Sequence, residues 1–121
     1  MYDLEKRFVA FACLAIEVVD SLIHTRSGNH VAAQLVRSGT SPAANYAEAQ
    51  SAESRKDFIH KLKIVLKELR ETRVWLLVIR RRTLSEGTDC VAKAIRECQE
   101  LIAIIQASVT TAEANARKPR K

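Results

Sequence analysis

Apolar residues recur at helical spacing in three long stretches of the chain. Leu4, Phe8, Phe11, Ala15, Val18 and Leu22 alternate steps of four and three, which marks a helix burying one stripe. Phe58, Leu62, Val65, Leu69, Thr72, Leu76 and Ile79 keep a heptad for three repeats, and Val91, Ile95, Cys98, Ile102, Ile105 and Val109 keep it again. Each stretch predicts a helix of about 20 to 30 residues. The breakers RSGN and LSEGTD follow the first and second of these stretches, and Ser54 with Asp57 three positions on predicts a cap for the helix that carries Phe58.

The stretch from about His30 to Ala52 is different. Val31 and Leu35 open an apolar seam, but its continuation falls on Ser38, Pro42, Asn45 and Ala49. Gly39-Thr40-Ser41-Pro42 has the local chemistry of one helix ending and another starting, with Ser41 as N-cap and Pro42 in the first turn. A continuous helix would lose the bond to the Ser38 carbonyl, at a cost of about 3 kcal/mol in a regular interior. The expectation is a second helix kinked near Pro42. Its Ser41, Asn45 and Glu48 would form a buried polar network, joined by Lys61, Glu68 or Thr72 of the third helix, that fixes register. The same stretch lacks the second glycine and the lysine of a phosphate-cradling loop.

Four long helices with short connections predict an all-α fold, an antiparallel up-down-up-down four-helix bundle over residues 1–116. Residues 117–121 would be a disordered basic tail. VWLLVI at 74–79 is longer than one helical turn, so part of it points away from the seam. Trp75, Leu77 and Val78 are expected outside, as the interface of a homo-oligomer.

Composition agrees with helices: only 3 glycines and 2 prolines occur in 121 residues, enough chain for one domain. No apolar run reaches the length of a membrane span, and FVAFACLAI at 8–16 continues into Glu17 and Asp20 as an amphipathic helix rather than a signal core. Cys13, Cys90 and Cys98 have no ligand spacing and are expected as buried free thiols in a reducing cytoplasm. His24, His30 and His60 are scattered, and Glu68 and Glu71 have helical neighbours that suit structural roles. No catalytic constellation, metal site or cofactor is expected, and the chain is not expected to be an enzyme.

Charge supplies the functional signal. The net charge is +6, yet residues 55–82 alone carry ten bases against three acids, while 1–25 and 83–116 are both net acidic. Lys56, Lys63 and Arg70 share one heptad position of the third helix, and Lys67 and Arg81 share another, both opposite the seam. Arg73, Arg80 and Arg82 extend this stripe, which predicts a phosphate-tracking surface for RNA or DNA. The alternative is a solvated face on an assembly scaffold that binds protein. Aromatic residues for stacking bases are absent from the stripe.

Residues 35–80 resemble a bacterial four-helix-bundle family encoded in intervening sequences of 23S ribosomal RNA genes. The family pattern TS-x-x-AN-x-x-EA is matched by Thr40, Ser41, Ala44, Asn45, Glu48 and Ala49. The continuation is matched by Ser54, Asp57, Phe58, Lys61, Leu62, Lys67, Glu68, Glu71, Thr72, Trp75 and Leu76. Pro42, Tyr46 and Val74 depart from the usual residues of the pattern. The resemblance implies a ring-like homopentamer. It also implies kinship with the accessory variability determinant of diversity-generating retroelements, a basic bundle that binds nucleic acid and works with a reverse transcriptase. No activity is implied for the intervening-sequence members themselves.

Overall fold

The computed structural model describes residues 3–117, which form four helices: α1 Leu4–Asp20, α2 Arg26–Gln50, α3 Arg55–Arg82 and α4 Thr88–Ala116. The expected tail lies outside the described residues except for Arg117, which caps α4. Each of the first three helices starts on a side-chain cap. Asp3 accepts from the Lys6 N–H at 3.1 Å, Thr25 from Gly28 at 3.0 Å and Ser54 from Asp57 at 3.0 Å. Gly28 also permits the tight entry into α2, because a Cβ there would lie 2.1 Å from the Ile23 carbonyl oxygen. At the far end of α3, Thr83 takes a left-handed φ of 52°, so that Leu84 N–H reaches the Ile79 carbonyl at 3.0 Å. Leu84 then drops into the core.

The helices form a four-helix bundle in which α2 lies against α1 and α3, and α4 against α3 and α1. Among the described residues the α1 and α3 backbones do not approach each other, so these two sit diagonally. Partners along neighbouring helices run in opposite numerical order. Phe8 meets Tyr46 and Ala15 faces Gly39, Ser38 meets Thr72 and Glu48 meets Lys61, Arg70 meets Gln106 and Lys63 meets Glu113. The apolar positions read from the periodicity make the core: Phe8, Phe11, Val18, Leu62, Val65, Leu69, Leu76, Ile79, Ile105 and Val109 are all buried. Contact between α1 and α4 is the thinnest, and Arg7 bridges it with a two-pronged bond to Glu97 at 2.6 and 2.8 Å. That bond raises the guanidinium pKa further.

Both turns at one end of the bundle are stitched together. Ile23 N–H donates to the Leu84 carbonyl at 2.9 Å and Glu86 N–H to the Ser21 carbonyl at 3.1 Å, a single antiparallel bridge between Leu22 and Ser85. The Ser21 and Ser85 hydroxyls meet beneath it at 2.5 Å.

Of the break or kink that local rules favour in α2, a break is not found: one helix runs through Gly39, Thr40, Ser41 and Pro42. Its inward positions are small because neighbours close in on them. A Cβ on Gly39 would lie 2.6 Å from the Ala15 Cβ of α1, and Ser38 and Pro42 are buried beside it. Tertiary packing on both sides therefore holds helical geometry that Pro42 alone disfavours. The cysteine expectation is also corrected, since only Cys98 is buried; Cys13 is exposed and Cys90 half-buried.

Candidate nucleic-acid interface

The outward side of α3 carries all eight cations singled out by the sequence, and the structure divides them by partner. Lys63 pairs with Glu113 of α4 at 2.9 Å, and Arg70 donates to the Gln106 side-chain oxygen at 2.8 Å. Lys56, Lys67, Arg73, Arg80, Arg81 and Arg82 are exposed and make no ion pair or hydrogen bond through their side chains among the described residues. These unpartnered charges fall into two groups along the helix. Lys56, Lys67 and Arg73 are spaced along the helix, and Arg80, Arg81 and Arg82 fill the last turn, where carbonyl ends add attraction for cations. At a rise of about 1.5 Å per residue, Arg73 and Arg80 stand roughly 10 Å apart along the axis.

Between the two groups lies the apolar stretch. Here an expectation is corrected: Val74, 51% exposed, is the outward member. Trp75, Leu77 and Val78 are half-buried and pack on the core. Trp75 sits on the α2 side of α3, where its indole N–H donates to Glu71 at 3.1 Å and its ring meets His30 edge-on at 6.1 Å. An amphipathic indole with a satisfied N–H belongs at such a seam edge rather than in open water.

The single buried network expected from Ser41, Asn45, Glu48, Lys61, Glu68 and Thr72 is instead four separate links. Thr72 and Ser38 share a deeply buried bond, at 3.0 Å, and the Glu68 carbonyl lies within reach of the Thr72 hydroxyl. Asn45 donates to the Ser41 carbonyl of its own helix, and the Ser41 hydroxyl is buried without a partner. Glu48 and Lys61 pair at 3.0 Å on the surface, which raises the Lys61 pKa. Glu68 and Glu71 are both held by Arg37, a residue the periodicity passes over.

Burial pushes the Cys98 thiol up to about 12, and it donates to the Leu69 carbonyl, so it is no nucleophile. Among the described residues no cluster of His, Cys, Asp and Glu could hold a metal ion, and no helix is long and apolar enough to cross a membrane. The site is thus a charged surface beside a groove. The groove, about 410 Å³, runs between α3 and α4 over Leu66 and Val109. Gln106 and Glu113, which complete it, were missed by sequence reading. Nothing local ties them to Arg70 and Lys63, from which they are 36 and 50 positions away.

Comparison with known proteins fits this architecture. A family model described as 23S rRNA-intervening sequence protein matches residues 6–107. A crystal structure of a protein of unknown function from the S23 ribosomal protein family of Bacteroides thetaiotaomicron is similar, with 30% identity and a TM-score of 0.76. The match covers 88% of this chain and 98% of that one. Among curated proteins none matches. The chain, with its four helices and its cation-rich α3, belongs to the 23S rRNA-intervening sequence protein family.

Proposed function

We propose that this protein is a non-enzymatic, oligomeric bundle of the cytoplasm that binds RNA or DNA along the outward side of α3. The observation that carries the reading is the set of seven exposed cations there, Arg70 with its neutral Gln106 partner included, that have no acid partner among the described residues. Unneutralised charge in a row is what releases counterions when it meets phosphates. The opposite numerical order of partners on neighbouring helices supports an up-down-up-down arrangement, with α2 bent at Pro42 where the Ser38 carbonyl loses its donor. On family kinship, the reading extends to a ring-like pentamer and a reverse transcriptase as protein partner.

Salt titration of affinity tests it. With about six phosphate contacts, affinity for a short RNA should fall about a thousandfold between roughly 50 and 200 mM salt. A flat response removes the reading.

A second reading, an assembly scaffold, has its own observation. Val9 and Ile16 of α1 are 52% and 43% exposed, one helical stripe with Cys13 between them and Glu5, Lys6, Glu17 and Asp20 around them, a net acidic set. Val74 is the matching exposed apolar residue on α3, and it lies among bases. Because α1 and α3 are diagonal, the acidic face of one copy would meet the basic face of the next head to tail, a contact that closes into a ring or runs on. Light scattering at micromolar concentration should show an oligomer, and Val9→Lys with Ile16→Lys should reduce it to monomer. A wild-type monomer would exclude assembly through these faces.

A further inference from the structure

We infer that the groove between α3 and α4 holds one unpaired nucleobase, so that the protein prefers single-stranded nucleic acid to duplex. The inference rests on the nucleic-acid reading above and goes on to name what the groove takes. Leu66 and Val109, 7% and 3% exposed, make its apolar floor. A volume of about 410 Å³ suits a small planar molecule. Bases in a duplex are already stacked on one another and cannot enter it. A splayed base can lay its face on the floor and its edge against the wall.

The wall has the means to receive an edge. The Gln106 oxygen accepts from Arg70 at 2.8 Å, and its amide nitrogen lies 3.5 Å from the Thr110 hydroxyl. An amide offers two donors and two acceptor positions, so one of each stays uncommitted while its neighbours hold it in place. Every base edge presents donors or acceptors that such a group can meet, which makes the groove tolerant of sequence. The Arg70 guanidinium lines the groove and is anchored there by Gln106, and arginine planes are a common cover for unstacked bases.

The cations divide the remaining work. Lys63 is tied to Glu113 at one end and stands as a rim rather than as a free charge. Lys67 has no side-chain partner among the described residues and is the group left to take the phosphate of the inserted nucleotide. A duplex would use Lys67 and the C-terminal arginines equally well but would leave the apolar floor empty. The difference between the two ligands is therefore located in the groove.

The experiment compares three probes at one salt concentration: a short single-stranded RNA, the same strand annealed to its complement, and the same strand with abasic positions. The single strand should bind about tenfold tighter than the other two, the scale of one base–protein contact. A 2-aminopurine placed in the strand should change its emission on binding. Gln106→Leu, at a half-buried surface site, should erase the preference while leaving the salt dependence intact. Gln106→Asn, which keeps the amide on a shorter stem, should restore part of it. Equal affinity for all three probes overturns the inference and leaves the nucleic-acid reading standing. No binding to any of them overturns that reading as well.

Discussion

Replacing Gly39 by valine should unfold much of the population or lower the melting temperature by at least about 10 °C, an effect of several kcal/mol in a chain of this size. The first added atom is already too close, since a Cβ at this position lies 2.6 Å from the Ala15 Cβ. Neither atom is the end of a flexible side chain, so relief requires α1 and α2 to move apart. That movement would disturb Ser38 and Pro42, which are buried beside Gly39, and the Ser38–Thr72 bond to α3. Two effects compete in the milder Gly39→Ala. Helix propensity favours alanine by about 1 kcal/mol, whereas overpacking costs about 1 to 3 kcal/mol. Packing wins, and Gly39→Ala should still destabilise. Ala15→Gly in the same chain should recover part of the loss, because it removes the atom that is struck. Urea unfolding of the four proteins of this cycle measures the coupling. A Gly39→Ala protein as stable as the wild type would show that the helices do not meet here.

Gly39 also shows which parts of the fold a sequence exposes. On α1, α3 and α4 the buried positions are large and apolar, so periodicity finds them, down to Phe8, Leu69 and Ile105. On α2 the buried positions include Ser38, Gly39 and Pro42, chosen for closeness rather than for apolar area. Local rules see turn chemistry in those residues and favour a break or kink, because the helices that enforce continuity come from elsewhere in the chain. Trp75 escapes the pattern for a related reason. In a run of six apolar residues the periodicity cannot say which members lie under a neighbour, and His30 and Glu71 decide it. The candidate site was legible as charge, since Lys and Arg positions can be counted directly. Which charges are neutralised was not, because the pairs Lys63–Glu113 and Arg37–Glu68 join residues 50 and 31 positions apart.

That distinction between partnered and unpartnered cations leads to the second large effect. Reversing Lys56, Lys67 and Arg81 to glutamate should weaken RNA binding about a hundredfold or more at low salt and reduce the salt slope by about three. All three are exposed, point away from the seam and lack side-chain partners among the described residues, so the bundle should fold normally by circular dichroism. Lys63→Gln should do much less to affinity, because Glu113 already neutralises that ammonium. It also frees the Glu113 carboxylate, which works against binding and limits how small the loss can be. Measuring particle mass alongside affinity separates two causes of a loss. If binding falls while mass holds, these cations meet phosphate directly. If both fall together, they act by drawing the acidic α1 face of the neighbouring copy onto α3, and assembly becomes the primary role of the basic stripe. Unchanged binding with unchanged mass would leave the stripe as an ordinary solvated helix face.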